Sequence, residues 1–190
     1  MVKRLVSLVA FCAFALTAPS AWADAYTDTI DVFKKAGQSG RMFGNAYGYA
    51  VFPTVGKGGL VVGGAHGDGR VYEKGRYIGD TSLTQLSIGF QAGGQAYSEI
   101  IFFENEAALK TFTSGNFEFG ADASAIAITA SADAKATTAG ASASASVTKD
   151  NAANAANYYK GMRTYTIAKG GLMVEAAVAG QKFNYKPARK

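Results

Sequence analysis

The sequence predicts an α+β fold: an N-terminal helix, then a glycine-rich, mostly antiparallel β-sheet curled into a barrel-like or sandwich core. Three observations predict it. Apolar residues at helical spacing precede about residue 43. From Tyr47 to Gly69 (YGYAVFPTVGKGGLVVGGAHGDG), β-branched and aromatic residues alternate with glycine, which reads as strands with tight bends. Further short strand-like runs follow at close intervals to about Tyr185.

Residues 1–23 read as a secretory signal peptide. Lys3 and Arg4 supply the positive start, Leu5 to Ala18 the apolar run, and Ala21-Trp22-Ala23 the small-x-small cleavage pattern. The apolar run is shorter than the roughly 20 residues of a spanning helix. Phe11 before Cys12 argues against lipidation, where a small residue is wanted. The expected mature chain, 24–190, is a single domain, periplasmic or secreted and able to sit peripherally on a membrane. Loss of Lys3 and Arg4 leaves 17 of the 19 basic residues against 14 acidic ones, a net charge of +3. That mild excess suits an anionic surface but lacks the dense basic patch of a nucleic-acid binder. The only cysteine leaves with the signal, so stability rests on the core.

The first element is a helix over about 25–43, which Gly37 and Gly40 end or interrupt. Tyr26, Ile30 and Phe33 share one face, and Lys34, Lys35 and Arg41 lie near its C-terminal end, where cations favour the dipole. Such a helix either docks on the sheet with a solvated basic face or touches a membrane.

The β-rich core spans about 47–185. Strands are expected at Tyr47–Phe52, Gly59–His66, Arg70–Glu73 and Leu83–Tyr97, with Gly67-Asp68-Gly69 and Lys74-Gly75-Arg76 as hairpin connections. In Leu83–Phe90 the set Thr84, Leu86, Ile88 and Phe90 is the more apolar and is assigned to the core. Ile100–Phe103 reads as a buried strand. Glu104–Thr113 reads as a helix capped by Asn105, with Ala107, Ala108, Leu109 and Phe112 as its contact face. The Ala/Ser/Thr-rich stretch 121–156 contains two alternating runs, Ala125–Ile128 and Ala141–Val147, read as a hairpin joined near Asp133–Gly140. Asn151–Tyr159 is a linker or a weak helical turn. Arg163–Ala168, Leu172–Val178 and Lys182–Tyr185 complete the strands.

No reaction centre is legible. His66 is the single histidine, and a structural zinc site needs about four nitrogen or sulfur ligands. There is no G-x-S-x-G elbow, no G-x-G-x-x-G and no G-x-x-x-x-G-K-[ST]. Glu104 and Glu106 read as helix N-terminal charge. The sequence therefore reads as a non-enzyme that needs no cofactor and no metal.

The order of its motifs resembles the SYLF domain family. Ala50–Gly59 (AVFPTVGKGG) is similar to that family's F-P-x-V-x-K-x-G opening, and Gly63-Gly64 with Gly67-Asp68-Gly69 to its continuation. Ser87–Gln95 resembles the s-x-G-x-Q-x-G-x-Q strand, Phe119–Ser124 the l-G-x-d-a-s step, and Tyr165–Gly180 the closing segment. Gly79–Leu83 departs from the family's Trp-Ser-x-Pro step. The resemblance implies a non-catalytic module that binds anionic phospholipid, with phosphoinositides as ligands and actin as a partner in eukaryotic members. It implies lipid contact by the basic N-terminal region, here Lys34, Lys35 and Arg41. Lys57, the one charge between Phe52 and Gly64, either meets a headgroup or caps carbonyls at a turn. The alternative is a protein-interaction or structural module of the cell envelope.

Overall fold

The computed structural model describes residues 20–58, 62–88, 95–128, 158–169 and 178–189. Two helices, α1 (Ser20–Lys35) and α2 (Gly37–Met42), lead into strands β1 (Gly48–Gly58), β2 (Val62–Glu73), β3 (Arg76–Ile88) and β4 (Gln95–Phe103). Helix α3 (Glu106–Phe112) and strands β5 (Phe117–Glu118), β6 (Ala125–Ile128), β7 (Met162–Lys169) and β8 (Gln181–Pro187) follow. One eight-stranded sheet runs in the order β5-β8-β3-β2-β1-β4-β7-β6 and curls into a half-barrel. Every pairing is antiparallel except β6 with β7. The predicted α+β class, with helices ahead of a mostly antiparallel curled sheet, is the observed one.

The sheet separates two apolar clusters. Ala50, Phe52, Val55, Leu83, Tyr97, Ile101 and Phe103 face inward, where α3 adds Leu109 and Phe112. Phe183 sits amid this cluster, with ring centroids 5.0 Å from Phe112, 5.5 Å from Phe119 and 5.8 Å from Phe52. Val51, Ile100, Phe102, Tyr165 and Ile167 face outward and are covered by Tyr26, Ile30 and Phe33 of α1. The predicted apolar stripe of the first helix is thus buried against the sheet, so the docked reading of that face is the observed one.

The helix expected over 25–43 is interrupted beside Gly37, as the glycines there predict, and forms two helices. Ala36 adopts an extended backbone (φ −76°, ψ 114°), and Ser39 Oγ donates 2.6 Å to the carbonyl of Phe33, one of the carbonyls the break leaves open. The expected cleavage point after Ala23 lies within α1. Strand β1 runs past Pro53 to Gly58 rather than ending at Phe52. Its pairing with both neighbours shifts register at Pro53, the bulge that lets a proline stand in a central strand.

Gly67-Asp68-Gly69 is not a hairpin connection. Strand β2 continues through it, and the glycine is there for space: a methyl group on Gly69 would lie 2.5 Å from Cε1 of Phe52. The Lys74-Gly75-Arg76 connection is observed, with positive φ at Lys74 (48°) and Gly75 (80°), the twist-matched two-residue turn.

The segment Leu83–Tyr97 is not one strand, since β3 ends at Ile88 and β4 begins at Gln95; residues 89–94 lie outside the described set. Its facing is also reversed. Leu83 and Gln85 point inward, whereas Thr84 is exposed and Leu86 is 84% exposed. Register decides this, because Leu83 stands opposite Phe183 of β8 and joins the inner cluster.

Asn105 caps α3 as expected, its Oδ1 accepting from the Ala108 backbone N–H at 3.0 Å, but Ala107 is exposed. Ala125–Ile128 forms β6, which pairs in parallel with β7 instead of forming the expected hairpin. The other half of that hairpin, residues 141–147, lies outside the described residues. So do residues 1–19 of the expected signal peptide, 59–61 of the strand expected at Gly59–His66, and 172–177 of that expected at Leu172–Val178. Residues 151–157, most of the expected linker or turn, are outside it as well.

Candidate functional site

The register of five strands brings several chain ends to one end of the sheet. Gly48 opens β1 opposite Glu73 at the end of β2 and Phe103 at the end of β4. Glu73 faces Arg76 across the β2–β3 turn, and Phe103 faces Met162 at the start of β7. Backbone hydrogen bonds tie the connecting residues together: Lys74 N–H donates to Tyr47 O (3.0 Å), Tyr47 N–H to Phe103 O (2.8 Å) and Glu104 N–H to Gly161 O (2.8 Å). Helix α2 reaches the same end, where an Arg163 guanidinium nitrogen lies 3.9 Å from Met42 Sδ.

Cations and tyrosines gather at this pole. Lys74 Nζ stands 4.9 Å from the Tyr47 ring, Arg163 lies 4.4 Å from that of Tyr158, and Lys160 Nζ lies 5.3 Å from that of Tyr159. Each pairing places charge over a ring face while leaving an amphipathic side chain at the surface. Arg41, Lys74, Arg76 and Lys160 are exposed. The acids among them are Glu73, Glu104 and Glu106. Tyr47 Oη donates 2.6 Å to Glu73 Oε1, and this bond is the main reason the phenol is pushed up to about 12. Glu106 pairs with Lys110 at 2.6 Å; that hydrogen bond holds the glutamate below its ordinary range and Lys110 above its own.

The predicted site residues are not all brought together. Lys34 and Lys35 close α1, both exposed; Lys34 lies 3.7 Å from Asp31 and 5.7 Å from the Phe43 ring. Arg41 donates from Nε to the Gly37 carbonyl at 3.1 Å. Phe43 packs on Tyr49 and Phe102, which puts this helical corner over the β1-start half of the outer face. Lys57 is elsewhere. It stands nine strand steps past Gly48 on β1, about 30 Å. It is half-buried on the side of Val55, opposite Ala65 and Gln95. Lys74, Arg76, Lys160 and Arg163 were missed by sequence reading. The usable signal was the Lys74-Gly75-Arg76 hairpin, which fixes where β1 and β4 must end once strand pairing is known.

A second polar group lies inside the half-barrel. Glu99 is completely buried on β4, and burial pushes its carboxyl up to about 8. Gln181 of β8 donates from Nε2 to Glu99 Oε2 (3.0 Å) and to Tyr97 Oη (3.2 Å). Burial, the larger cause, and the neighbouring Glu99 raise the Tyr97 phenol far above its usual value. His66 is exposed, 3.9 Å from Asp68. Among the described residues there is no group of three or more His, Cys, Asp and Glu side chains able to hold a metal, and no helix long and apolar enough to cross a membrane.

The sequence model of the Ysc84 family, described as Las17-binding protein actin regulator, matches residues 84–186. The chain belongs to the Ysc84, or SYLF, family. The Ysc84 match covers the last five residues of β3 and all of β4 to β7, together with β8 to Lys186, and therefore Glu99, Gln181 and the pole residues Lys160 and Arg163. Lys34, Lys35, Arg41 and Lys57 precede it. The chain is also 26% identical over 161 residues to Beta cell expansion factor A of Aeromonas veronii, an alignment covering 83% of this chain and 52% of that protein. The chain thus spans about half the length of this relative.

Proposed function

We propose that this Ysc84 domain is a non-catalytic module that binds anionic phospholipid surfaces at the cell envelope. The observation that carries the reading is the pole where Lys74, Arg163 and Lys160 pair with the rings of Tyr47, Tyr158 and Tyr159, with exposed Arg76 on the adjoining turn and Arg41, Lys34 and Lys35 on the neighbouring helical corner. Each basic residue near an anionic membrane contributes about 1 kcal/mol, and tyrosine suits the boundary between headgroup and water. Because Tyr26, Ile30 and Phe33 are used by the fold, the contact is electrostatic and superficial rather than an insertion of α1. The signal-like residues 1–23 support a site of action in the periplasm or outside the cell. No enzymatic activity and no cofactor are invoked.

The family's description as an actin regulator supports a second reading, a module whose ligand is a protein. Co-sedimentation with vesicles of phosphatidylcholine alone, or with added phosphatidylglycerol or phosphatidylinositol phosphate, tests the first reading against the second. Pelleting only with the acidic vesicles supports lipid binding. Absence from all vesicles, with capture of actin filaments or one defined envelope protein, replaces it with the second reading.

A further inference from the structure

Glu99 is an acid buried among neutral side chains. Along its own strand the nearest titratable group is Tyr97. From β1 it faces Phe52 and then Val55, from β7 Thr166, from β3 Leu83 and Gln85, from β8 Gln181 and Phe183, and from α3 Leu109 and Phe112. Lys57 is the one described cation on the inner side of β1, at the position opposite Gln95, about 13 Å along the sheet from Glu99.

Each member of the Glu99–Gln181 pair has one oxygen left over. Glu99 Oε2 accepts from Gln181 Nε2, whereas Glu99 Oε1 and Gln181 Oε1 are both buried with no hydrogen-bond partner among the described residues. If Glu99 is ionised, both are acceptors, and bringing them together costs energy. One proton on Glu99 resolves both, because the acid O–H can donate to the amide carbonyl while the amide N–H donates back. The hydroxyl of Thr166, on the residue paired with Glu99, is likewise buried with no hydrogen-bond partner among the described residues, so it does not supply the missing donor.

We propose that Glu99 and Gln181 form a proton-dependent latch across the half-barrel. Protonated, the acid and the amide share two hydrogen bonds and hold β4 against β8. When the proton passes to solvent base, one bond is lost, a charge is left in an apolar interior, and the two flanks part. The raised titration point of Glu99 puts this change just above neutral pH. The folded state holds the proton more tightly than the unfolded chain, so the latch's stabilisation is complete below the ordinary carboxyl range and is lost as pH rises through about 8.

The test compares thermal unfolding and binding of the dye ANS for the parent and Glu99→Gln between pH 6 and 9.5. The parent should melt at progressively lower temperature from pH 6 to about 8 and level off above it, while its dye binding rises as the pH passes 8. The variant, whose two amides pair at every pH, should hold one midpoint and one dye level. A variant that follows the parent across the range overturns the latch. Should the variant not fold, carbon-13 NMR of the glutamate carboxyls in the unaltered protein decides. One carboxyl titrating near 8 supports the latch, and a set that all titrate near 4.5 overturns it.

Discussion

Gln181 Nε2 lies 3.0 Å from Glu99 Oε2 although their strands stand four steps apart in the sheet, with β3, β2 and β1 between them. Adjacent strands are spaced about 4.7–4.9 Å, so a flat sheet would hold β8 and β4 some 19 Å apart. The sheet must therefore curl until its flanks meet, and Phe52 touching Phe183 across the same interior says the same in apolar terms. The strong bend rests on the bulge at Pro53 and on glycine where side chains would collide.

Phe183 is the hub of that closure. Four rings, Phe52, Phe112, Phe117 and Phe119, surround it at centroid distances of 5.0–6.0 Å. Phe183→Ala should lower unfolding free energy by about 3–5 kcal/mol in urea titrations. Lys182→Ala, on the exposed side of the same strand, should change it by less than about 0.5 kcal/mol.

Glycines of the first two strands should respond in opposite ways. A methyl group on Gly69 would sit 2.5 Å from Phe52 Cε1 and 2.9 Å from Thr81 Cγ2, so Gly69→Ala should cost about 1–3 kcal/mol. On Gly56 it meets nothing within 4 Å, and Gly56→Ala should stabilise by about 0.4–1 kcal/mol through the unfolded chain. Equal losses from both changes would contradict the continuous course of β2 past β1.

The facing of β3 offers a third check. Leu83→Ala should cost about 2–5 kcal/mol, whereas Leu86→Thr should leave the melting temperature nearly unchanged. The reverse pattern would restore the assignment made from apolarity alone.

What sequence could and could not reveal follows from these cases. Tyr26, Ile30 and Phe33 were readable because three residues at helical spacing name one face. The Lys74-Gly75 turn was readable because its backbone demands are local. The β3 facing was not, because Leu83, Thr84, Gln85 and Leu86 carry nearly balanced apolarity, and a contact with Phe183 a hundred residues away decides between them. Gly67 and Gly69 misled for a related reason: close packing and tight turning ask for the same residue. The basic pole escaped because Arg41, Lys74, Lys160 and Arg163 are distant in sequence, and only strand pairing unites them.

Export is tested by the mass of the protein recovered from its native cells. Cleavage after Ala23 predicts Asp24 as the first residue, with α1 keeping the Tyr26–Ile30–Phe33 face that docks on the sheet. A retained Met1 or a fatty-acylated Cys12 would contradict it.

Flotation with phosphatidylglycerol vesicles at low and high salt, comparing the parent with a variant in which Arg41, Lys74, Arg76 and Lys160 are alanine, tests the central claim most directly. Four cations at about 1 kcal/mol each predict a loss of roughly a thousandfold in partitioning. Binding of the parent should also weaken as salt is raised. Lys57→Glu, about 30 Å along β1 from the pole, should float as the parent does. Parental binding by the fourfold variant, or binding that ignores salt and floats equally with neutral vesicles, would contradict the account.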